Sequence, residues 1–401
     1  MNKPNYSNGR ILFLVNAFPS PDQPHKSPFN FRALKSLVAA GVDIQAVHLR
    51  SWAPGRKSID RYELEGIPIT AVSLPFYVKL PARLTALNLL VYKKLFNGLL
   101  PRLGDIRSIK LIHSVGAGHA GVVGSAISKK FKIPQIVQCI GSDINLVIPA
   151  MKNYVGVKGW EQHVKCFPCN SIELANQVKS LYPEAATEVI YRGVNLAEFF
   201  PNDQRRCREE FVFTYIGGFT PKETKPFGLD QKGGITVLKA WKQLKAANPA
   251  ARVKLKFGGP AVKKETVAAL YDGDWEKDGI EVIGQVLKTE VCPLFQSSDV
   301  VLIPSMFEGL PNAAMEAAAA GAALIGSRVG GIPEVINEGE NGFIVDRKDE
   351  HALADRMLRL VNNQELAAQM GRAGRNFMEA RFDNAQFARG YMNLYETILK
   401  G

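Results

Sequence analysis

Short apolar runs alternate with longer amphipathic segments along almost the whole chain. In the first half, the apolar runs predict strands at Ile11–Asn16, Asp43–Leu49, Leu111–Ser114, Gln135–Cys139 and Glu188–Tyr191. Helical periodicity between them predicts helices at Asn30–Ala40, Ala120–Lys130 and Ile172–Leu181. The second half repeats the alternation through Phe211–Ile216, Thr236–Ala247, Val253–Phe257, Glu281–Ile283, Val300–Pro304 and Ala323–Ile325. This pattern predicts an α/β protein with two doubly wound parallel sheets.

The strand predicted at Val300–Pro304 leads into a turn and an alanine-rich helix that together carry two glutamates, Glu308 and Glu316. Pro311 stands where the first helical turn would begin, and Gly321 marks the expected end of the helix. Backbone N–H groups at the positive end of such a helix would hold phosphate oxygens. These groups belong to Gly309, Leu310, Asn312 and Ala313. The glutamates would accept hydrogen bonds from sugar hydroxyls.

The alternative for this segment is a helix with one wet face and an incidental glutamate. However, Glu316 is isolated among apolar residues, and an unpaired buried carboxylate costs several kcal/mol. A second apolar strand, Ala322–Gly326, is followed by Gly330 and Gly331, where backbone can approach a ligand closely. Because parallel strands end at one edge of a sheet, both loops would face one cleft, which favours a ligand site.

Five motifs follow one another along the chain: Tyr191–Pro201, Phe213–Gly218, Glu308–Asn312 with Glu316, Val329–Glu334 and Asn341–Val345. Together they resemble glycosyltransferase family 4, the retaining nucleotide-sugar transferases of GT-B fold, over most of the chain. The resemblance implies two Rossmann-like domains that face a central cleft. Residues 1–193 would form the acceptor-binding domain and residues 194–383 the nucleotide-sugar-binding domain. A C-terminal helix at 384–401 would cross back to the N-terminal domain.

The resemblance also assigns the residues that face the donor diphosphate. Lys232, followed by Gly233, matches the family's lysine. The family's arginine is not matched, because Gly217 of the preceding turn is followed by Gly218. The candidates for the missing positive charge are three cations, Lys222, Lys225 and Arg192, and the favoured alternative for each of them is a solvated surface residue.

For catalysis the resemblance implies front-face displacement, in which an oxygen of the donor's own phosphate takes the acceptor proton. Lys232 would stabilise the leaving diphosphate, Glu308 would fix the transferred sugar's hydroxyls, and Glu316 would hold the nucleotide ribose. The expected donor-binding residues are Gly217, Gly218, Lys232, Glu308, Gly309, Leu310, Asn312 and Glu316. Lys232 and Glu308 are the expected catalytic residues. No metal ion or other cofactor is expected, because positive protein groups would supply the charge.

Acceptor-side contacts are expected at the carboxyl ends of the first domain's strands. His113 and His119 flank Gly116–Gly118 at such an end. Asp143 lies in a turn that resembles the family's His-Gly-x-Asp motif, with Ile140 in place of the histidine. The alternatives are a structural role for either histidine and a turn-forming role for the aspartate.

Length and charge narrow the class of protein and its partners. The 401 residues, 46% hydrophobic and 22% charged, fit two globular domains, and the run Ile11–Val15 is too short for a signal sequence or membrane span. We therefore expect a cytoplasmic protein. The formal charge of +12 favours an anionic partner. Basic residues interleaved with leucines and aromatics across residues 76–110 predict an amphipathic segment on the anionic inner face of a membrane.

Two further interpretations bear on partners. The alternative for residues 76–110 is a helix that buries its leucines against the first sheet. No nucleic-acid-binding module is recognised, so nucleic acid is not an expected partner.

Of the five cysteines, Cys166 and Cys169 have the spacing of a metal or redox half-site, but no second pair completes it. We favour a buried strand end there, with Asn170 and Ser171 capping the next helix.

The sequence thus predicts a retaining glycosyltransferase that moves a hexose from a nucleotide-diphosphate sugar to a glycan or lipid-linked acceptor in cell-surface polysaccharide synthesis. Two alternatives stay open. One is a nucleotide-sugar epimerase of the same fold, and the other is a non-catalytic protein that binds a nucleotide sugar.

Overall fold

The computed structural model describes residues 9–24, 26–74, 91, 93–151, 158–202, 209–219 and 230–400. The chain divides into two compact units. The first comprises Met1–Gly193 together with Asn384–Gly401, and the second comprises Val194–Asp383. Each unit contains its own sheet, with helices packed on it.

The sheet of the first unit has strands β1 (Arg10–Val15), β2 (Ile44–Ser51), β3 (Ile59–Leu64), β4 (Ile67–Leu74), β5 (Ile109–Val115), β6 (Gln135–Gln138), β7 (Val164–Cys169) and β8 (Thr187–Val189). Their order in space is β3-β4-β2-β1-β5-β6-β7-β8. The strand order reverses between β1 and β5. These two strands are parallel neighbours, and Arg10 at the start of β1 pairs with Ile109 at the start of β5. Loops at the carboxyl ends of these two strands therefore occupy a topological switch point.

One edge of this sheet corrects the prediction of purely parallel sheets. β3 runs antiparallel to β4, and the two strands form a hairpin that the sequence pattern did not reveal. The turn consists of Glu65 and Gly66, both with positive φ, at 47° and 80°. Two-residue turns of this kind usually have the sequence Asn-Gly or Asp-Gly. Because glutamate stands in the first position, the usual signal for a hairpin is missing.

Helices α1 (Pro28–Ala39), α2 (His119–Phe131), α3 (Ile148–Met151) and α4 (Ile172–Leu181) belong to the same unit. Successive residues of β1 enter different cores: Phe13 packs with Leu34 of α1, whereas Leu14 packs with Val123 of α2. A strand that is buried on both faces reads as a continuous apolar run rather than an alternating one. This explains the unbroken apolar sequence of β1.

The second unit has strands β9 (Phe211–Tyr215), β10 (Val253–Gly258), β11 (Ile280–Gly284), β12 (Val300–Ile303), β13 (Ala323–Ser327) and β14 (Gly342–Val345). Their order is β11-β10-β9-β12-β13-β14, and every pair in it is parallel. The order reverses between β9 and β12. In open α/β sheets, ligands bind outside the carboxyl ends of the strands at such a reversal.

The helices of this unit are α5 (Gly234–Ala247), α6 (Lys264–Leu270), α7 (Lys288–Gln296), α8 (Asn312–Ala319), α9 (Ile332–Val335), α10 (Glu350–Val361) and α11 (Gln364–Arg381). The last helix, α12 (Asn384–Lys400), belongs to the first unit. It buries Phe387, Tyr391 and Tyr395 in the same core as Phe13 and Leu34. The chain therefore returns to the core in which it began.

Candidate functional site

The candidate site lies at the carboxyl edge of the second sheet, where the loops after β9 and β12 meet the start of α5. Gly217 and Gly218 follow β9, and Glu308 follows β12. The backbone N–H of Met306 donates to the carbonyl of Gln231 at 2.9 Å, which joins the β12 loop to the segment that precedes α5. The switch point of the sheet thus holds the predicted diphosphate and sugar residues together.

Two glycines allow these segments to approach one another. Gly233, with φ of 78°, lies directly against the carbonyl of Pro304, and a side chain at position 233 would overlap that oxygen. A methyl group at Gly217 would lie 2.6 Å from Cβ of Lys232. Only residues without a side chain permit contacts this close. Lys232 is therefore fixed between the turn after β9 and the end of β12.

The two predicted catalytic residues are in direct contact. The Lys232 ammonium forms an ion pair with Oε1 of Glu308. The hydroxyl of Ser305 donates to the same oxygen at 3.1 Å. The Glu308 side chain is 15% exposed and that of Lys232 is 35% exposed, so both reach solvent at the edge of the unit. The site places a cation, a carboxylate and a hydroxyl within one small cluster.

Position 218 explains why the expected arginine is absent. Gly218 has a φ of 66°, and a methyl group there would lie 2.5 Å from both the nitrogen and the oxygen of Pro260. The hydroxyl of Tyr215 donates to the carbonyl of Gly218 at 3.2 Å and holds the turn in this shape. No side chain fits this backbone without movement of Pro260.

The three expected substitutes for that arginine have different outcomes. Lys222 and Lys225 lie outside the described residues. The guanidinium of Arg192 lies over the ring of Phe29, with its carbon 4.6 Å from the ring centroid, and both residues belong to the first unit. A cation in this position interacts favourably with the aromatic face. The source of a second positive charge at the donor site stays a prediction.

Helix α8 begins at Asn312, with Pro311 immediately before it rather than in its first turn. Asn312 and Glu316 are one turn apart and half-buried, whereas Ala314, Met315 and Ala317 between and beyond them are buried. Residues at this spacing share a helix face. The face that carries Asn312 and Glu316 is therefore the one that α8 turns away from the core, as both interpretations of Glu316 require.

The loop after β13 is bonded to the loop after β12. The N–H of Gly331 donates to the carbonyl of Gly309 at 2.6 Å. Gly330 lies against the backbone of Glu308, where a methyl group would stand 2.8 Å from the carbonyl carbon. Leu310 is buried, so its side chain packs inward and only its backbone is available to a ligand. The two glycine-containing loops thus form one continuous surface beside Glu308.

Sequence reasoning missed two groups that shape the site, Ser305 and Asp230. Ser305 is bound to Glu308 as described above, and its spacing of three residues from Glu308 was the available signal. The carboxylate of Asp230 accepts from the N–H of Ile235 at 3.1 Å, next to the start of α5. Burial raises the pKa of Asp230, and backbone N–H donors at Ile235 and Gly234 lower it. Asp230 therefore organises the helix start behind Lys232.

The acceptor-side assignment of His113 is wrong. Its side chain is fully buried, Nδ1 lies 2.6 Å from the hydroxyl of Tyr395, and Nε2 lies 3.1 Å from Oε1 of Gln138. The ring also stacks on Tyr391 at 4.9 Å. Burial lowers the pKa of His113 to about 3, so it is neutral. His113 is a structural residue that binds α12 to the first sheet.

Asp143 also has a structural role in place of the predicted acceptor contact. Its Oδ2 accepts from the N–H of Ala117 at 2.8 Å, and its Oδ1 accepts from the N–H groups of Ile140 and Gly141 at 3.1 and 2.8 Å. The buried carboxylate thereby joins the loops after β5 and β6. His119 is the first residue of α2, and burial lowers its pKa to about 4. Its predicted acceptor contact stays a prediction.

The Cys166–Cys169 segment is a buried strand end, as favoured from the sequence. β7 ends at Cys169, and the hydroxyl of Ser171 accepts from the N–H of Leu174 at 3.2 Å and caps α4. Burial raises the pKa of Cys166 to about 12. Thiols in such surroundings are inert as nucleophiles and poor metal ligands.

Residues 76–90 and 92 of the predicted amphipathic segment lie outside the described residues. In the described part, Phe96, Leu100 and Leu103 are buried in the core that contains Leu12 and Leu14. This favours the alternative interpretation for that part, in which apolar side chains pack against the first sheet. The basic residues Arg102, Arg107 and Lys110 are exposed. None of the described helices has the length and hydropathy needed to cross a membrane.

Residues 212–363 match the family model described as Glycosyl transferases group 1. The chain is 28% identical to a glycosyltransferase of Methanocaldococcus jannaschii over 73% of this chain and 77% of that protein. It is 23% identical to the putative teichuronic acid biosynthesis glycosyltransferase TuaC of Bacillus subtilis, over 98% of this chain and 99% of that one.

Two solved structures show the same fold. Sucrose-phosphate synthase from Thermosynechococcus elongatus aligns with a TM-score of 0.73 at 18% identity, covering 98% of this chain and 99% of the synthase. HepE from Anabaena, in complex with UDP, aligns with a TM-score of 0.66 at 14% identity, covering 97% and 100%. The chain therefore has the GT-B fold, and its second unit contains the segment that is similar to group 1 glycosyltransferases.

Proposed function

We propose that this protein is a family 4 enzyme that transfers a hexose, with retention of configuration, from a nucleotide-diphosphate sugar to a glycan or lipid-linked acceptor. The observation that carries the proposal is the contact between Lys232 and Glu308 at the switch point of the second sheet. A cation suited to a diphosphate and a carboxylate suited to sugar hydroxyls stand beside the start of α8. A nucleotide sugar presents these groups next to each other.

In the proposed reaction, Lys232 and the N–H groups at the start of α8 stabilise the negative charge that develops on the leaving diphosphate. Each preorganised donor of this kind contributes about 3–4 kcal/mol to the transition state. Glu308 accepts hydrogen bonds from the sugar hydroxyls, and Glu316 from the nucleotide ribose. An oxygen of the donor phosphate takes the proton of the attacking acceptor hydroxyl, so that the new bond forms on the face from which the diphosphate leaves.

The relatives support the choice of substrates. HepE holds UDP, and TuaC bears the name of a glycosyltransferase of teichuronic acid biosynthesis. A nucleotide sugar as donor and a cell-surface polysaccharide as destination follow by analogy. We place the enzyme in the cytoplasm, where such donors are made. The exposed cations Arg102, Arg107 and Lys110 support a peripheral position at an anionic membrane, where a lipid-linked acceptor would be met.

The experiment that tests the function is a titration of UDP-, GDP- and ADP-hexoses against the purified protein by calorimetry, followed by incubation of the donor that binds with membrane extract. We expect one donor to bind and its hexose to appear in extracted glycan or glycolipid, with the donor's anomeric configuration by NMR. Lys232→Ala should weaken binding of the donor.

Each alternative has its own outcome in this experiment. Binding without transfer to any fraction of the extract would identify a non-catalytic binding protein. Release of free nucleotide together with an epimer of the monosaccharide would identify an epimerase. Transfer with inverted configuration would refute the retaining mechanism while leaving the glycosyltransferase in place.

A further inference from the structure

The residues assigned to two different parts of the donor are bonded to each other in this structure. Lys232, which the proposed function gives to the diphosphate, forms an ion pair with Glu308, which it gives to the sugar. Both side chains reach solvent, so the pair is accessible to an incoming ligand. A diphosphate carries more negative charge than one carboxylate and is the stronger partner for an ammonium group. Donor binding must therefore alter this ion pair.

Ser305 has a separate hold on Glu308. Its hydroxyl donates to Oε1 of Glu308 at 3.1 Å, and its own carbonyl accepts from the hydroxyl of Ser327 at 2.5 Å. Ser305 and Ser327 are both buried, so this link is anchored in the ends of two neighbouring strands, β12 and β13. The bond between Ser305 and Glu308 does not depend on the Lys232 ammonium.

We propose that the donor diphosphate displaces Glu308 from Lys232, and that Ser305 is the positioning residue that keeps the Glu308 carboxylate in the site after this exchange. The inference deepens the proposed function and rests on it. In the free enzyme Glu308 neutralises Lys232. In the complex the diphosphate forms the ion pair with Lys232. Glu308 is still held by Ser305 and accepts hydrogen bonds from the sugar hydroxyls.

The exchange makes a prediction about nucleoside diphosphate affinity that does not follow if Glu308 only binds the sugar. If Glu308 competes with the diphosphate for Lys232, its removal must strengthen the binding of a nucleoside diphosphate that has no sugar to hold. Glu308→Gln keeps the shape and removes the charge. We expect this variant to bind the nucleoside diphosphate about two- to five-fold more tightly, the range that partly exposed ion pairs contribute. The same variant should lose transfer activity.

The first experiment measures Kd by calorimetry for UDP, GDP and ADP with the wild-type protein and Glu308→Gln. The matched control is Glu210→Gln, which removes a carboxylate from another ion pair of the same unit, with Lys254 at 2.9 Å, at the amino end of β9 and away from the site. The control should bind the nucleoside diphosphate like the wild type. Equal or weaker binding by Glu308→Gln would overturn the exchange, and equal tightening by both variants would assign the effect to net charge instead.

The second experiment isolates Ser305. Ser305→Ala should leave the Kd of the nucleoside diphosphate unchanged but raise the KM of the nucleotide sugar, because only the sugar depends on a positioned Glu308. In the Glu308→Ala background, Ser305→Ala should have no further effect on nucleotide-sugar affinity. Additive losses would show that Ser305 acts independently of Glu308. Circular dichroism of each variant checks that the fold is kept.

The two levels of the proposal fail separately. If the wild-type protein binds none of the three nucleoside diphosphates, the donor site itself is refuted and the exchange falls with it. If one of them binds and Glu308→Gln binds it no more tightly, the donor site stands and the exchange alone is refuted.

Discussion

Replacement of Gly218 by alanine should destabilise the second unit strongly, although it removes no contact. Two effects add. An L-residue in the left-handed conformation that Gly218 adopts, with φ of 66°, costs about 1–2 kcal/mol. The new methyl group would also stand 2.5 Å from the nitrogen and oxygen of Pro260, and relief of such overpacking costs about 1–3 kcal/mol more.

The expected total is about 2–5 kcal/mol, which for a unit of this size corresponds to a fall in Tm of roughly 4–20 °C. The assay is unfolding of the full chain by urea and by heat, with circular dichroism as the signal. Gly339→Ala is the matched control, because Gly339 in the same unit has a φ of 80° but no atom within 4 Å of the added methyl group. This control should show the backbone cost of about 1–2 kcal/mol alone.

Equal destabilisation by the two alanine variants would refute the argument, because it would show that Pro260 does not exclude a side chain at position 218. The same reasoning predicts that Gly218→Arg, which restores the family's arginine, will unfold at lower temperature and will not bind the donor more tightly. The backbone conformation of this turn and its contact with Pro260 thus exclude any side chain at position 218, including that of arginine.

Three further predictions concern the site, the acid dependence of stability and the membrane. Glu308→Ala should lower the transfer rate about 100-fold or more with the fold kept, measured by steady-state kinetics. His119→Asn should flatten the fall of stability in acid: burial lowers the pKa of His119 from 6.5 to about 4, so the unfolded chain takes up a proton that the folded one does not, and stability is lost as pH falls through that window. Urea unfolding between pH 6.5 and 4 measures the slope, which should decrease by up to about 1.4 kcal/mol per pH unit. Arg107→Gln with Lys110→Gln should weaken binding to anionic vesicles by about 2 kcal/mol in a sedimentation assay, because each cation near such a surface contributes about 1 kcal/mol.

Each of these predictions has a result that contradicts it. Unchanged turnover of Glu308→Ala would remove Glu308 from the sugar site. An unchanged acid slope in His119→Asn would mean that this histidine takes up its proton in the folded protein. Vesicle binding that is insensitive to the loss of Arg107 and Lys110, or equally strong on neutral vesicles, would refute the role of these cations.

The sequence by itself determined the class of fold and much of the candidate site. Apolar runs at strand length and helical periodicity report burial on each element, and this information is local. For that reason β12, α8 and the glycine pair Gly330–Gly331 are where the pattern predicts them, and Glu308 stands at the carboxyl end of a strand. The β3–β4 hairpin was missed because its turn lacks the residues that usually signal one.

Tertiary structure alone decided which distant residues meet. Lys232 and Glu308 are 76 residues apart in sequence and become partners because β9 and β12 are neighbours in the sheet. His113 is removed from the acceptor side by Tyr395, 282 residues away, and position 218 is closed to side chains by Pro260. Periodicity records that a residue is buried or exposed. The order of the strands and the path of α12 determine what each residue is buried against, and these depend on the packing of the whole unit.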